Sequence, residues 1–124
     1  MSVKSKVNNI FKVLKEKNPN PKTELEYSSV FTLLVAVVLS AQSTDKGVNA
    51  VTRKLFKEAN TPHKMVELGE KKIKKLISKI GLFNTKSKNV FLLSKILLEK
   101  FKGEVPPDRD SLVKLPGVGR KTAN

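Results

Sequence analysis

The chain has 124 residues, 39% of them apolar, which gives room for one domain with a real core. With no cysteine it forms no disulfide and no thiolate metal site, and its single histidine, His63, cannot build a zinc site. The net charge of +14, carried by 22 Lys and three Arg scattered along the whole chain, calls for an acidic partner. Nucleic acid is the partner such a charge most readily suggests, unless lysine is simply abundant in this proteome.

From the N-terminus, Val3, Val7, Ile10, Phe11 and Leu14 fall at helical spacing over residues 3–16, with lysines elsewhere, and predict an amphipathic helix. A transit peptide or membrane-surface helix is the rival reading; the segment has no arginine, and Glu16 interrupts its lysines. It has a charged start but no continuous apolar core, so it is not a signal peptide and a soluble, cytoplasmic protein is expected. Asn18-Pro19-Asn20-Pro21 ends the helix and begins an extended linker.

Residues 28–42 are the most apolar stretch, with Val30 to Leu39 broken only by Thr32 and with Ser28 or Ser29 placed to cap. Ten apolar residues are too few to span a bilayer. Periodicity alone cannot separate a buried strand from a buried helix here, but length and capping favour a helix at the centre of the fold. Its end delivers Ser40-Ala41-Gln42 to the surface. An uncharged amide there, beside a basic surface, can enter a base stack, although capping a helix end is the plainer role for Gln42. Asp45 is a cap or first-turn acid for the next helix, whose apolar face is Val48, Val51 and Leu55.

Thr61-Pro62 opens a short helix carrying Met65, Val66 and Leu68 and closed at Gly69, with His63 as a surface residue. Residues 70–80 repeat the helical pattern through Ile73, Leu76, Ile77 and Ile80, and Gly81 is expected to end it. Leu82-Phe83 are apolar residues in a loop, and core packing is the default for either. Residues 85–101 give the longest amphipathic helix, its wide apolar set including Val90, Leu93 and Leu97 and its polar positions Lys86, Lys88, Lys95 and Lys100. Gly103 ends it.

Pro106-Pro107-Asp108 then marks the start of a short helix over 108–114, with Leu112 and Leu115 on one face. Pro116, Gly117 and Gly119 make a tight hairpin turn, after which Arg120-Lys121-Thr122-Ala123 are compatible with a second helix. Two glycines, a helix N-terminus and the charges of Arg120 and Lys121 suit a phosphate group, although a glycine-rich turn between packed helices needs no ligand. Neither GxxxxGK[ST] nor GxGxxG fits this spacing. The whole reads as an all-α chain: one compact bundle of about seven helices over residues 1–124, without a convincing strand or repeat.

Leu115 to Asn124, LPGVGRKTAN, resembles the helix-hairpin-helix of DNA glycosylases, specifically the endonuclease III family. The likeness extends back through Ile80 to Asn84, Ala59 to Pro62, Leu39 to Asp45 and Asn18 to Leu25, and so covers nearly the whole chain. It implies base-excision repair of damaged pyrimidines in double-stranded DNA by a glycosylase and abasic-site lyase, with Lys121 as nucleophile. Gln42 would fill the gap left by the extruded nucleotide, and Leu82 would be an apolar wedge. The hairpin residues Gly117, Val118, Gly119 and Arg120 would bind DNA through its phosphates.

The resemblance further implies that Lys121 attacks C1′ of the sugar, displaces the base and forms a Schiff base, and that β-elimination then nicks the strand. A free lysine amine has a pKa of about 10.4, and Arg120, a helix N-terminus and partial burial would all disfavour its ammonium form. Relatives also carry a catalytic aspartate and a 4Fe-4S cluster held by four cysteines, both of which lie beyond Asn124. The chain is therefore expected to be an N-terminal fragment, weak or inactive alone, whose missing C-terminal half would also cover part of the first helix. A non-catalytic helix-hairpin-helix DNA-binding module and a basic RNA-binding or protein-interaction scaffold are the competing functional readings.

Overall fold

A computed structural model describes residues 25–40, 43–106 and 109–118. The expected helix over residues 3–16 and the linker after it lie outside the described residues. So do Gln42, Gly119, Arg120 and Lys121.

The described chain forms six helices: α1 (Val30–Leu39), α2 (Asp45–Glu58), α3 (Pro62–Leu68), α4 (Glu70–Leu76), α5 (Phe83–Lys100) and α6 (Arg109–Val113). The apolar run from residue 30 is thus a helix rather than a strand, and every residue from Phe31 to Leu39 is buried. Its one polar member is explained by its start. Ser29 is the N-cap, Thr32 N–H donates to Ser29 Oγ at 3.2 Å, and Thr32 Oγ1 accepts the N–H groups of Ser28 and Ser29 at 2.9 and 2.8 Å. A hydroxyl inside the core is therefore fully engaged with the first turn, whose N–H groups would otherwise go unpaired.

α2 and α5 pack against α1 by their apolar faces. Val48, Val51 and Leu55 of α2 are buried as the spacing predicts, and Thr44 rather than Asp45 is the cap, its Oγ1 accepting Gly47 N–H at 3.0 Å. Asp45 is the first-turn acid. The extended segment before α1 is pinned to α2 at two positions one turn apart. Glu26 N–H donates to the buried Asn49 Oδ1 at 2.9 Å, and Arg53 donates through Nε and Nη2 to the two carboxylate oxygens of Glu26 at 2.9 and 2.6 Å.

Thr61 caps α3 and Pro62 begins it, and His63 stands exposed with Nε2 3.3 Å from Glu67 Oε2. Gly69, at φ 89°, closes α3 and opens α4 in a single residue. There the prediction overruns. The helix over residues 70–80 stops at Leu76, and Ile77 to Ile80 form a turn closed by Ile80 N–H on Ile77 O at 3.1 Å. Burial explains the break, because Ile73, Ile77 and Ile80 all reach the core and the turn supplies the last contact without another helical turn.

Gly81 does not end the helix. The left-handed residue at this corner is Leu82, φ 58°, which serves as N-cap of α5, so Phe83 belongs to the helix and not to a loop. The long helix α5 touches α1, α3 and α4, which accounts for its wide apolar stripe. Two buried serines on it return their hydroxyls to its own backbone, Ser87 Oγ to Asn84 O at 3.0 Å and Ser94 Oγ to Val90 O at 2.8 Å. Lys102 and Gly103, at φ 57° and 84°, turn the chain at its end. Val105 and Pro106 are buried before α6, which adds Leu112 to the same core, with Leu115 buried in the turn just after it.

Candidate nucleic-acid interface

Four turns at the ends of these helices carry the residues of interest. The first follows α1, where Ser40 caps the helix and Ser43 N–H donates back to Ser40 O at 3.1 Å. The two neighbours of the Ala41-Gln42 pair are thus tied together across it. The helix behind Ser40 is buried from Phe31 to Leu39, so Ser40 is anchored to the close-packed core.

The second is the corner at Leu82. A leucine in the left-handed region costs about 1–2 kcal/mol relative to the right-handed one, and here no side chain caps the helix to offset it. The side chain is also 55% exposed, one of two large apolar side chains, with Tyr27, that the described residues leave in solvent. Core packing, the default for an apolar residue in a loop, is thereby excluded for Leu82. An unpacked apolar group projecting from a strained turn is suited to insert between stacked bases.

Between these two turns stands a residue whose place the helical pattern was read to make solvent-facing. Lys86 is only 3% exposed, and its Nζ donates to Ser43 Oγ at 2.7 Å. The signal was present in the sequence: Lys86, Val90, Leu93 and Leu97 are spaced by four, three and four, which is one buried stripe.

The hairpin turn supplies the third element. Leu115 N–H donates to Leu112 O at 3.0 Å and Val118 N–H to Leu115 O at 3.1 Å, winding the chain from α6 into the bend. Gly117 adopts φ 81°, a conformation that favours glycine, and a Cβ placed on it would lie 2.8 Å from Val38 Cγ1 and 3.1 Å from Asn89. Its missing side chain serves close approach to α1 and α5. The Val118 side chain is 1% exposed and its N–H is engaged within the turn, so neither is offered to a ligand. Lysines 71, 72, 75 and 79 of the fourth turn and the helix before it are exposed, as are Lys88, Lys102 and Lys114. Such cations attract a polyanion without reading its sequence.

Without cysteine the chain offers no thiolate for a 4Fe-4S cluster, and among the described residues no group of His, Cys, Asp or Glu could hold a metal ion. No helix of the described residues is long and apolar enough to cross a membrane.

A chain with a glycine turn seated on a buried helix and an exposed leucine at a left-handed corner has relatives. The family model of the HhH-GPD superfamily base excision DNA repair proteins matches residues 35–123. The chain belongs to this superfamily. Within it, the chain is similar to the endonuclease III of Rickettsia conorii, 58% identical over 118 residues that make up 95% of this chain and 56% of that protein. It is similar also to the endonuclease III of Escherichia coli K12, 57% identical over 111 residues, 90% of this chain and 53% of that one. The chain therefore spans about half the length of the curated relatives it matches. Among solved HhH-GPD-like structures, a trapped endonuclease III–DNA covalent intermediate, an estranged-adenine complex, superposes with a TM-score of 0.76 at 44% identity, covering 100% of this chain and 58% of that one. A non-covalent endonuclease III–DNA complex matches equally well.

Proposed function

We propose that the chain carries the damage-locating and nucleophilic part of a bifunctional DNA glycosylase and abasic-site lyase acting on damaged pyrimidines. Exposed lysines and the hairpin residues Gly117, Gly119 and Arg120 hold phosphates, and a damaged base leaves the stack at lower cost than an intact one. Leu82 wedges the duplex open and Gln42 occupies the vacated space. The Lys121 amine attacks C1′, the bond from C1′ to the base breaks with its electron pair on the base, and loss of a proton from nitrogen leaves the Schiff base once the sugar ring opens. Removal of a C2′ proton then expels the 3′ phosphate and nicks the strand.

The observation that carries this reading is the likeness, across the full chain, to a protein captured in a covalent bond to DNA. Such a bond requires a nucleophile, and Lys121 occupies the position after GVGR that the family resemblance assigns to it. Borohydride trapping on a duplex with an abasic site tests it. A covalent adduct that disappears in Lys121→Ala supports the lyase. Salt-sensitive binding with no adduct would instead indicate a DNA-binding module without catalysis, and preference for RNA over abasic DNA would indicate an RNA-binding scaffold.

A further inference from the structure

Lys86 is the one charged side chain that the described residues bury in the core. Placing an ammonium group there is costly, and an apolar side chain in the same stripe as Val90, Leu93 and Leu97 would fill the space without that cost. One partner of the charge is Ser43, reached from the first turn of α5. The Lys86 backbone N–H donates to Leu82 O at 2.9 Å as the first turn of α5 forms, and its Nζ donates to Ser43 Oγ at 2.7 Å. Its side chain therefore joins the start of α5, next to Leu82, to Ser43, which stands just before α2.

We propose that Lys86 is a positioning residue for DNA penetration: its bond to Ser43 couples the corner at Leu82 to the residue that follows Gln42 in the chain, so that the two side chains that the proposed function sends into the duplex act together. The proposal rests on the reading that these two side chains enter DNA. Lys86 itself, being buried, contacts no phosphate. Its effect reaches the nucleic acid through Ser43 and the residue beside it.

The test measures binding of the chain to a duplex holding a tetrahydrofuran abasic-site analogue opposite 2-aminopurine, and to the matching undamaged duplex. The readouts are the ratio of the two affinities and the fluorescence gain of 2-aminopurine as its stack opens. Lys86→Met, close to the native volume, is expected to keep the helical circular dichroism and thermal midpoint while lowering the affinity ratio about fivefold and reducing the fluorescence gain. Gln42→Ala lowers the ratio as well, and in that background Lys86→Met is expected to change it less than about twofold, because both act through the same group.

An unchanged ratio in Lys86→Met, or an equal further loss in the Gln42→Ala background, overturns the proposal while leaving the penetration reading intact. If Gln42→Ala and Leu82→Ala both leave the ratio unchanged, the penetration reading fails and the proposal with it. Should Lys86→Met lose its helical signal, Ser43→Ala, which removes the acceptor from the opposite side, decides by the same criteria.

Discussion

Gly117 lies so close to Val38 that a methyl group on it would stand 2.8 Å from the valine Cγ1. The turn at Gly117 is thus seated directly on the last turn of the central helix, and its position is set by the core rather than by a linker. The glycine also holds φ 81°, so Gly117→Ala meets both a steric and a conformational penalty. A loss of about 2–4 kcal/mol is expected in urea denaturation. Gly81→Ala is the matched control, since nothing lies within 4 Å of a Cβ there, and it should shift stability by less than about 0.5 kcal/mol.

Thr32→Val keeps the shape of a buried side chain and removes its hydroxyl. The N–H groups of Ser28 and Ser29 then lose their acceptor at the start of α1. The expected cost is about 1–2 kcal/mol by the same measurement. An effect near zero would mean that water replaces the hydroxyl at the cap.

Leu82 separates stability from function. Leu82→Gly relieves a left-handed leucine that is mostly in solvent, so the chain should become more stable or stay within about 1 kcal/mol of the parent. The same change should reduce preference for an abasic over an undamaged duplex in a gel-shift or anisotropy titration. Equal preference in both proteins would remove the wedge from the mechanism.

Acid titration addresses the clasp between Glu26 and α2. The hydrogen bonds from Arg53, opposed by some desolvation and aided by its charge, hold the Glu26 carboxyl below its ordinary pKa. A carboxyl depressed in the folded state favours folding above its ordinary pKa, and that contribution disappears as the pH falls through the lowered value. The stability difference between the parent and Glu26→Gln should therefore be constant near neutrality and vanish at acid pH. Both side chains are exposed, so the difference should be small and shrink further with added salt.

The central helix was legible from sequence because an apolar run with a serine before it and a threonine inside it leaves few other solutions. The caps at Ser29 and Thr61 and the left-handed Gly117 follow from residue chemistry in the same way. Helix ends near residue 80 were not legible, since an isoleucine in a turn and one in a helix bury equally well, and the left-handed residue proved to be a leucine beside an available glycine. The charge of Lys86 points to solvent while its register with Val90, Leu93 and Leu97 points to the core, and in the fold the register prevails. Within the site, Leu82 was recognised by resemblance alone, and its exposure is what the coordinates add.

A helix sheathed by protein on every side has no surface of its own and can act only through its ends. The ten residues of α1 consequently work as a ruler: one residue inserted between Val30 and Leu39 would swing the turn at Ser40 by about 100° and advance it about 1.5 Å. Nothing along the shaft could absorb that error, because each side chain from Phe31 to Leu39 is already keyed into the core. The length of this segment, more than the identity of any residue in it, sets where the chain leaving Ser40 stands relative to the rest of the bundle.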